Sequence, residues 1–447
     1  HDVSNPVFER AGESRYVPGP FDAPPDSMGS NVLMPLERTY SEWLNSAYPN
    51  GVYAPEFAGN NPGGIVSTCQ DCHMRPVTGK GCNDPGAPTR DNLPLHDLTG
   101  GNTWMGGVIH SLYPGETDAG ALTSAALRAR GMLQAAATVE ATVHAVADSF
   151  RADIRVTNHS GHKLPTGYPE GRRMWLHVVA RDGNGAIVYQ SAVYDTSTGV
   201  LGLDARARVY EAHLGISTSL AAALGLPAGP SFHFALNDTM YKDNRIPPSG
   251  FTNTAYAAFG GAPVDPTQPS PRYADGQNWD VASYPLPPSA RTVKATLYYQ
   301  TTSKDYIEFL RDENTTNGAG LAMHAAWSAN QKAPPVPMAA DSAAFSTLDA
   351  PGPVVPRKLS LRAVSNPFHS TLTVGLSLPA PAHVTLEIMD VSGRLVARVP
   401  RGRLSTGEHR LTWDGHDQSG RDVGAGVFWA VVQADRTRLV QRVVRLR

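Results

Sequence analysis

From Val139 onward, apolar and polar positions alternate. Phe150, Ala152, Ile154 and Val156 interleave with Arg151, Asp153, Arg155 and Thr157, the period of a strand with one buried face. Residues 174–180 and 186–189 flank the turn Arg181-Asp182-Gly183-Asn184-Gly185 and predict a hairpin, and 293–300 alternates again. These runs predict a β-sandwich over 139–332, with the Pro- and Asn-rich stretch 196–290 as a long ordered excursion between its strands. A Pro/Ala-rich linker comes after it at 333–356. Six short alternating runs come next, at 372–378, 383–389, 394–399, 408–413, 427–433 and 439–444, with turn signals such as Asp414-Gly415 and Ser419-Gly420 between the later ones. They predict a second β-sandwich of immunoglobulin size over 357–447.

Upstream of Val139 the pattern changes. Residues 118–138 are rich in Ala and Leu with Asp118 at the start, and they read as one connecting helix. Leu122, Ala126, Leu127, Leu133 and Ala137 form its expected buried stripe. Residues 1–117 are rich in Gly, Pro and Asn and poor in periodicity, with short helical pieces expected around 36–46 and just after Cys69. The predicted fold is therefore mainly β, with a loop-rich, partly helical N-terminal segment.

The chain has 447 residues, of which 41% are hydrophobic and 17% charged, enough for several domains with ordinary cores. Its 42 glycines and 37 prolines suit β-structure with many turns. A net charge of -2 provides no general attraction for nucleic acid or an anionic membrane, so neither is expected as a partner. No apolar stretch approaches the ~18 residues of a membrane span. No secretory signal opens the chain at His1, although a leader could have been removed.

The most specific chemistry lies at 69–73, Cys-Gln-Asp-Cys-His. C-x-x-C-H is the attachment signature of a c-type haem. Cys69 and Cys72 would each bond one vinyl group, and His73 would be the proximal iron ligand. A porphyrin would also supply an apolar core to the otherwise core-poor segment 1–117. Structural zinc needs about four N/S ligands, and the only other cysteine is Cys82. A thioredoxin-like C-x-x-C would need a βαβ context that is missing around Thr68. Haem attachment takes place outside the cytoplasmic membrane, so export is expected, to the cell surface or extracellular space, with the periplasm as alternative.

Two further histidines stand in loops suited to a second iron ligand. His96 lies in Leu95-His96-Asp97-Leu98-Thr99-Gly100-Gly101-Asn102, where a Gly-Gly turn lets backbone approach a flat group. His162 lies in 158–169, NHSGHKLPTGYP, where Gly161, Pro165 and Gly167 make a rigid turn after a strand. His110 and His159 are weaker candidates. For each of the 15 histidines the plain alternative is a solvated loop side chain. Asn237-Asp238 and Lys242-Asp243-Asn244 offer oxygens for calcium, although turn formation is the commoner use of such residues. Trp104, Tyr113 and Trp175 would suit a porphyrin edge or, more simply, core packing. Lys80, Arg75 and Arg90 would suit haem propionates or solvent.

TYSEWLNSAY followed by CQDCHM, LHDLTGGN and NHSGHKLPTGYPEGRRMWLHV resembles a family of exported multihaem c-type cytochromes, over about residues 1–335. The resemblance implies that His96 and His162 are distal haem ligands. The opening His1-Asp2-Val3-Ser4-Asn5-Pro6 resembles the stretch directly after the two cysteines of a C-x-x-C-H motif in that family. His1 would then be the proximal ligand of a second haem whose cysteines precede it; the other reading is a processed N-terminus that carries a histidine. With a second haem, His1, His73, His96 and His162 make two axial pairs whose partnering stays open. Residues 357–447, with their W-D-G-x-D-x-x-G turn series from Trp413, resemble the Ig-like domain of flagellar hook-capping proteins and the C-terminal sorting domains of secreted surface proteins. That likeness implies anchoring or assembly.

The expected function is electron transfer through covalent, bis-histidine haem without catalysis, exchanging with redox proteins or with neighbouring copies in an oligomer or filament. The alternatives are a haem enzyme with an open iron site, reducing a nitrogen oxyanion or a peroxide, and a surface structural or adhesion protein stapled by its haem.

Overall fold

The computed structural model describes residues 2–12, 15–19, 29, 32–146, 149–268, 270–345, 358–364 and 366–446. The chain is mainly antiparallel β and divides into two units, His1–Phe345 and Ser346–Arg447.

The first unit is built on two sheets that share one core. Trp279–Leu286, Ser149–Asn158 and Ala137–Val146 pair in that order. Opposite them run Ile187–Ser191, Arg173–Arg181, Thr292–Gln300 and Val336–Ala344, and Arg208–Tyr210 also pairs with Arg173–Arg181. Ile154, Val156 and Tyr284 from the first sheet pack with Met174, Leu176, Val178, Ala295 and Leu297 from the second. The alternation read at 150–157 is the alternation buried here. Met174, Trp175 and Leu176 are all buried, because Trp175 covers the other face with Ala192, Leu201 and Val209. That strand is enclosed on both sides and loses its period of two.

Several expectations change. The linker predicted from 333 begins as a strand, Val336–Ala344, which pairs with Thr292–Gln300 from Thr292↔Ala344 to Tyr299↔Val336. Val336 and Met338 face the core, an alternation too weak to read among Pro and Ala. The rest of that segment, 346–356, lies outside the described residues. The excursion 196–290 ends in a core strand, Trp279–Leu286. Between the strands Thr292–Gln300 and Val336–Ala344 run the helices Lys304–Glu313, which Ser303 caps by accepting the Tyr306 N–H, and Ala319–Ala329. The connecting helix runs Ala119–Ala135 with Asp118 as its cap, but Ala129 and Leu133 are its buried residues. Leu127 is exposed, and Ala137 already belongs to the next strand.

The N-terminal segment has cores of its own. Asp2–Arg10 pairs with Tyr16–Pro18 and Leu33–Arg38, and Phe8, Tyr16 and Met34 pack on Leu214, Ile216 and Leu220 of the excursion. Tyr48, Ala54, Phe57, Ala58 and Val66 form a second cluster, with Trp43 and Cys72 at its edge. A porphyrin is thus not its only source of buried apolar surface. No helix among the described residues is long and apolar enough to cross a membrane.

Among the described residues the second unit is a seven-stranded sandwich. One sheet is Ser360–Ala363, Leu372–Leu378 and Gly407–Trp413; the other is Leu395–Leu404, Ala382–Asp390, Gly426–Ala434 and Thr437–Arg445. Both sheets contribute to its core, which Leu372, Val374, Leu376, Leu386, Ile388, Trp413, Phe428 and Val432 fill. Gly415 sits at φ +84°, and a Cβ there would lie 2.8 Å from the Ser370 carbonyl oxygen, so the Trp-Asp-Gly turn requires glycine.

Candidate haem site

Helix Cys69–His73 starts because Thr68 and Asp71 form a capping box. Thr68 Oγ1 accepts the Asp71 N–H at 3.3 Å, and the Asp71 carboxylate accepts the N–H groups of Ser67 and Thr68, both at 2.8 Å. Burial raises the Asp71 carboxyl, but these donors outweigh it and hold it below the ordinary aspartate range. One helical turn places Cys69 and Cys72 on the same face, three residues apart. Cys69 is exposed, whereas Cys72 is partly buried against the Tyr48–Phe57 cluster. Burial, with Asp71 and Cys69 adding to it, pushes the Cys72 thiol up to about 12. A dithiol redox centre needs a thiol shifted the other way.

Two imidazoles meet beside this helix. The rings of His73 and His162 have centroids 6.2 Å apart and planes 18° from parallel. His73 Nδ1 lies 2.6 Å from the Thr99 carbonyl oxygen, and His162 Nδ1 lies 3.0 Å from the Lys163 carbonyl oxygen. A carbonyl only accepts, so each Nδ1 carries the proton and each Nε2 keeps its lone pair. Burial, reinforced by the facing His73, pushes His162 down to about 4, so its ring is neutral at ordinary pH. Two metal–imidazole bonds of about 2.0 Å, plus roughly 1.1 Å from each nitrogen to its ring centre, span about 6 Å. The centroid separation therefore matches that of two imidazoles sharing one metal ion, and a backbone carbonyl at the Nδ1 of each ring is the usual partner that orients such ligands. The donor set fits a c-type haem: two thiols on one helical face, a proximal imidazole next to them and a distal imidazole opposite.

The distal loop is fixed by buried polar groups. The Asn158 side chain donates to the carbonyls of His162 (2.8 Å), Ile246 (2.9 Å) and Pro247 (3.1 Å), and it accepts from the Ser160 N–H and hydroxyl, both at 2.7 Å. Tyr48 donates its hydroxyl to the His159 carbonyl. Gly161 is squeezed between rings: a Cβ there would lie 3.1 Å from Tyr48 Cγ and 3.2 Å from Trp43 Cδ1. Glu42, on the helix Thr39–Leu44, accepts the Lys163 N–H at 3.0 Å and the Thr166 hydroxyl at 2.9 Å.

The proximal loop works through its backbone. Thr99 takes the His73 ring N–H and returns its own N–H to the His73 carbonyl at 3.0 Å. A cleft of about 370 Å³ opens next to it, lined by Asp97–Asn102, Ala125, Ala129, Arg172 and Tyr299. Arg172 is the cation on this cleft, and its guanidinium also holds the Thr166 carbonyl of the distal loop.

The other expected ligands are not gathered here. His96 is exposed on its turn, and among the described residues no ring contact joins it to His73 or His162. His1 lies outside the described residues. His110 Nδ1 is paired with Thr117 Oγ1 at 2.7 Å, and His159 Nε2 with Thr138 Oγ1 at 2.9 Å. Most of the oxygens considered for calcium are committed to donors, although Asn237 Oδ1 is buried without a partner among the described residues. Asp243 is engaged by Lys163 and Arg245, Asp238 by Ser217, and the Asn244 Oδ1 by the Glu211 N–H. Among the described residues no three His, Cys, Asp or Glu side chains form a metal-binding group. Trp104 and Trp175 are core residues, the first donating its indole N–H to the Asn330 carbonyl, and Tyr113 is exposed. Lys80 donates to the Pro85 carbonyl.

Residues 362–438 match the family model of the FlgD Ig-like domain, so the second unit carries a domain of that kind. No curated protein matches the chain. Among solved structures, a penta-heme cytochrome c552 from Thermochromatium tepidum aligns with 70% of this chain and 51% of its own, at 17% identity and a TM-score of 0.37. The chain thus spans about half the length of that cytochrome. FlgD from P. aeruginosa aligns with 19% of this chain and 71% of its own, at 23% identity and a TM-score of 0.16. PorZ, a surface component of the type-IX secretion system of Porphyromonas gingivalis, aligns with 23% of this chain and 14% of its own, at 20% identity and a TM-score of 0.15.

Proposed function

We propose that the first unit is an exported c-type cytochrome that transfers electrons. Cys69 and Cys72 would hold the haem covalently, and His73 and His162 would supply the imidazoles for its iron. The observation that carries this reading is the pair of facing imidazoles 6.2 Å apart, each with its Nδ1 proton committed to a backbone carbonyl. When bound, the haem supplies one-electron redox chemistry whose potential depends on ligand identity, hydrogen bonding and burial. The protein's part is positional. Thr99 orients His73, Lys163 orients His162, and Asn158 and Glu42 hold the distal loop. With both imidazoles bound to the metal, substrate would have no access to it and exchange would be outer-sphere. This favours a carrier over an enzyme that reduces a nitrogen oxyanion or a peroxide.

His96 is left for another haem, the one that His1 would serve if its cysteines precede the sequence. The FlgD-like unit suits docking or assembly, so neighbouring copies or surface redox proteins are the proposed partners. The test is expression in a host that exports and attaches haem. Covalent haem, seen by intact mass and by the alkaline pyridine spectrum, should be lost from this motif in the Cys69→Ser/Cys72→Ser variant. Full haem retention in that variant would defeat the proposal.

A further inference from the structure

Behind the distal ligand lies a cluster of four ionisable side chains, none of them solvated. Glu42 and Lys163 are 0% exposed, Asp243 1% and Arg245 6%. Lys163 Nζ lies 2.6 Å from Asp243 Oδ2. Arg245 grips the same carboxylate with a fork, Nε to Oδ1 and Nη2 to Oδ2, both 2.7 Å. Glu42 Oε1 completes the ring, 3.6 Å from Arg245 Nη2 and 3.9 Å from Lys163 Nζ. With two cations and two carboxylates the cluster is formally neutral.

Removing four charges from water is a costly way to stabilise a fold, and well-packed apolar residues often do as well. What such a cluster offers is a unique geometry, and the residue it fixes stands next to His162. Lys163 is held at three points. Its N–H goes to Glu42, its Nζ to Asp243, and its carbonyl receives the His162 ring proton. The carbonyl can aim the imidazole only if residue 163 itself cannot move. Glu42 also takes the Thr166 hydroxyl, so the same carboxylate pins the loop on both sides of Pro165. The Tyr256 hydroxyl in turn donates to the Glu42 carbonyl at 2.9 Å.

We propose that Lys163 is a positioning residue for the distal haem ligand, and that the neutral Glu42–Lys163–Asp243–Arg245 cluster keeps His162 Nε2 directed at the metal. The inference rests on the haem reading given above. Lys163→Met keeps most of the stem but leaves two buried carboxylates against one guanidinium. Lys163→Met/Glu42→Gln restores neutrality, and the glutamine oxygen can still accept the N–H of residue 163.

The experiment is carbon monoxide binding to the dithionite-reduced, haem-loaded full chain, read from the Soret band. His162→Ala marks full opening. Lys163→Met should raise the CO-bound fraction at least tenfold over wild type, and the double variant should bring it back toward wild type. If the residue acted only by filling space, the second substitution would add damage rather than remove it. A folded Lys163→Met protein as closed to CO as wild type would overturn the proposal. So would a double variant as open as His162→Ala. The second arm decides the matter alone if the single variant does not fold. If His162→Ala itself stays closed, the haem reading has failed rather than this one.

Discussion

Asn158→Ala removes a side chain that is 1% exposed and bonded to five groups of the distal loop and its neighbours. Three of them keep another partner. The His162 carbonyl and the Ser160 hydroxyl are paired at 3.0 Å, and the Ile246 carbonyl still accepts the Leu164 N–H at 2.9 Å. Two are left without one among the described residues, the Ser160 N–H and the Pro247 carbonyl. A buried polar group without a partner costs about 1–3 kcal/mol, so the two together predict a loss of about 4 kcal/mol. Urea unfolding of the haem-loaded chain, followed at the Soret band, reads the first unit specifically. Because the loop that slackens carries His162, the variant should also bind CO when reduced. A loss below about 1 kcal/mol would mean that the loop does not depend on this hub, and the account of how His162 is held would be wrong.

Other consequences rest on single groups. Burial raises the Asp243 carboxyl, but Arg245 and Lys163 outweigh it and bring it from the ordinary 3.8 to about 2. A depressed folded value stabilises the protein fully above the unfolded value and ceases to do so as pH falls through the folded one. About 2 kcal/mol should therefore vanish between pH 4 and 2, and an unchanged acid limb in Asp243→Asn would refute the assignment. Gly161→Ala forces Tyr48 and Trp43 outward and should cost about 1–3 kcal/mol; thermal melting checks it, and a neutral result would mean that the rings yield freely. In haem-free protein at pH 8, the raised Cys72 thiol should alkylate at least tenfold more slowly than the exposed Cys82, as peptide mass mapping would show. Equal rates would contradict its burial.

Much of the second unit is legible directly in the chain, because runs such as 383–389 and 408–413 bury alternate residues of a local pattern. Ser360–Ala363 is not, because four residues carry too little alternation. Val336–Ala344 is hidden for a different reason: its partner, Thr292–Gln300, is distant, and its own Pro and Ala give no sign of pairing. The helix Ala119–Ala135 is visible through its cap and composition, but its buried face depends on the cores it meets, so Leu127 turns outward against expectation. At the site, C-x-x-C-H is local and readable. That His162 rather than His96 faces His73 is decided by strands and loops far apart in sequence. The contribution of the Leu95–Asn102 loop is a backbone carbonyl, that of Thr99, which no side-chain pattern can reveal. The charged cluster joins residues from separate parts of the chain and has no sequence spacing to read.

The most direct measurement of the central claim is the optical spectrum of the reduced chain before and after CO, with wild type and His162→Ala side by side. A wild-type spectrum that does not change, next to a variant that binds CO stoichiometrically, is the predicted result. Stoichiometric CO binding by the wild type would contradict the account, because the iron at His73 would then have an open position that His162 does not fill.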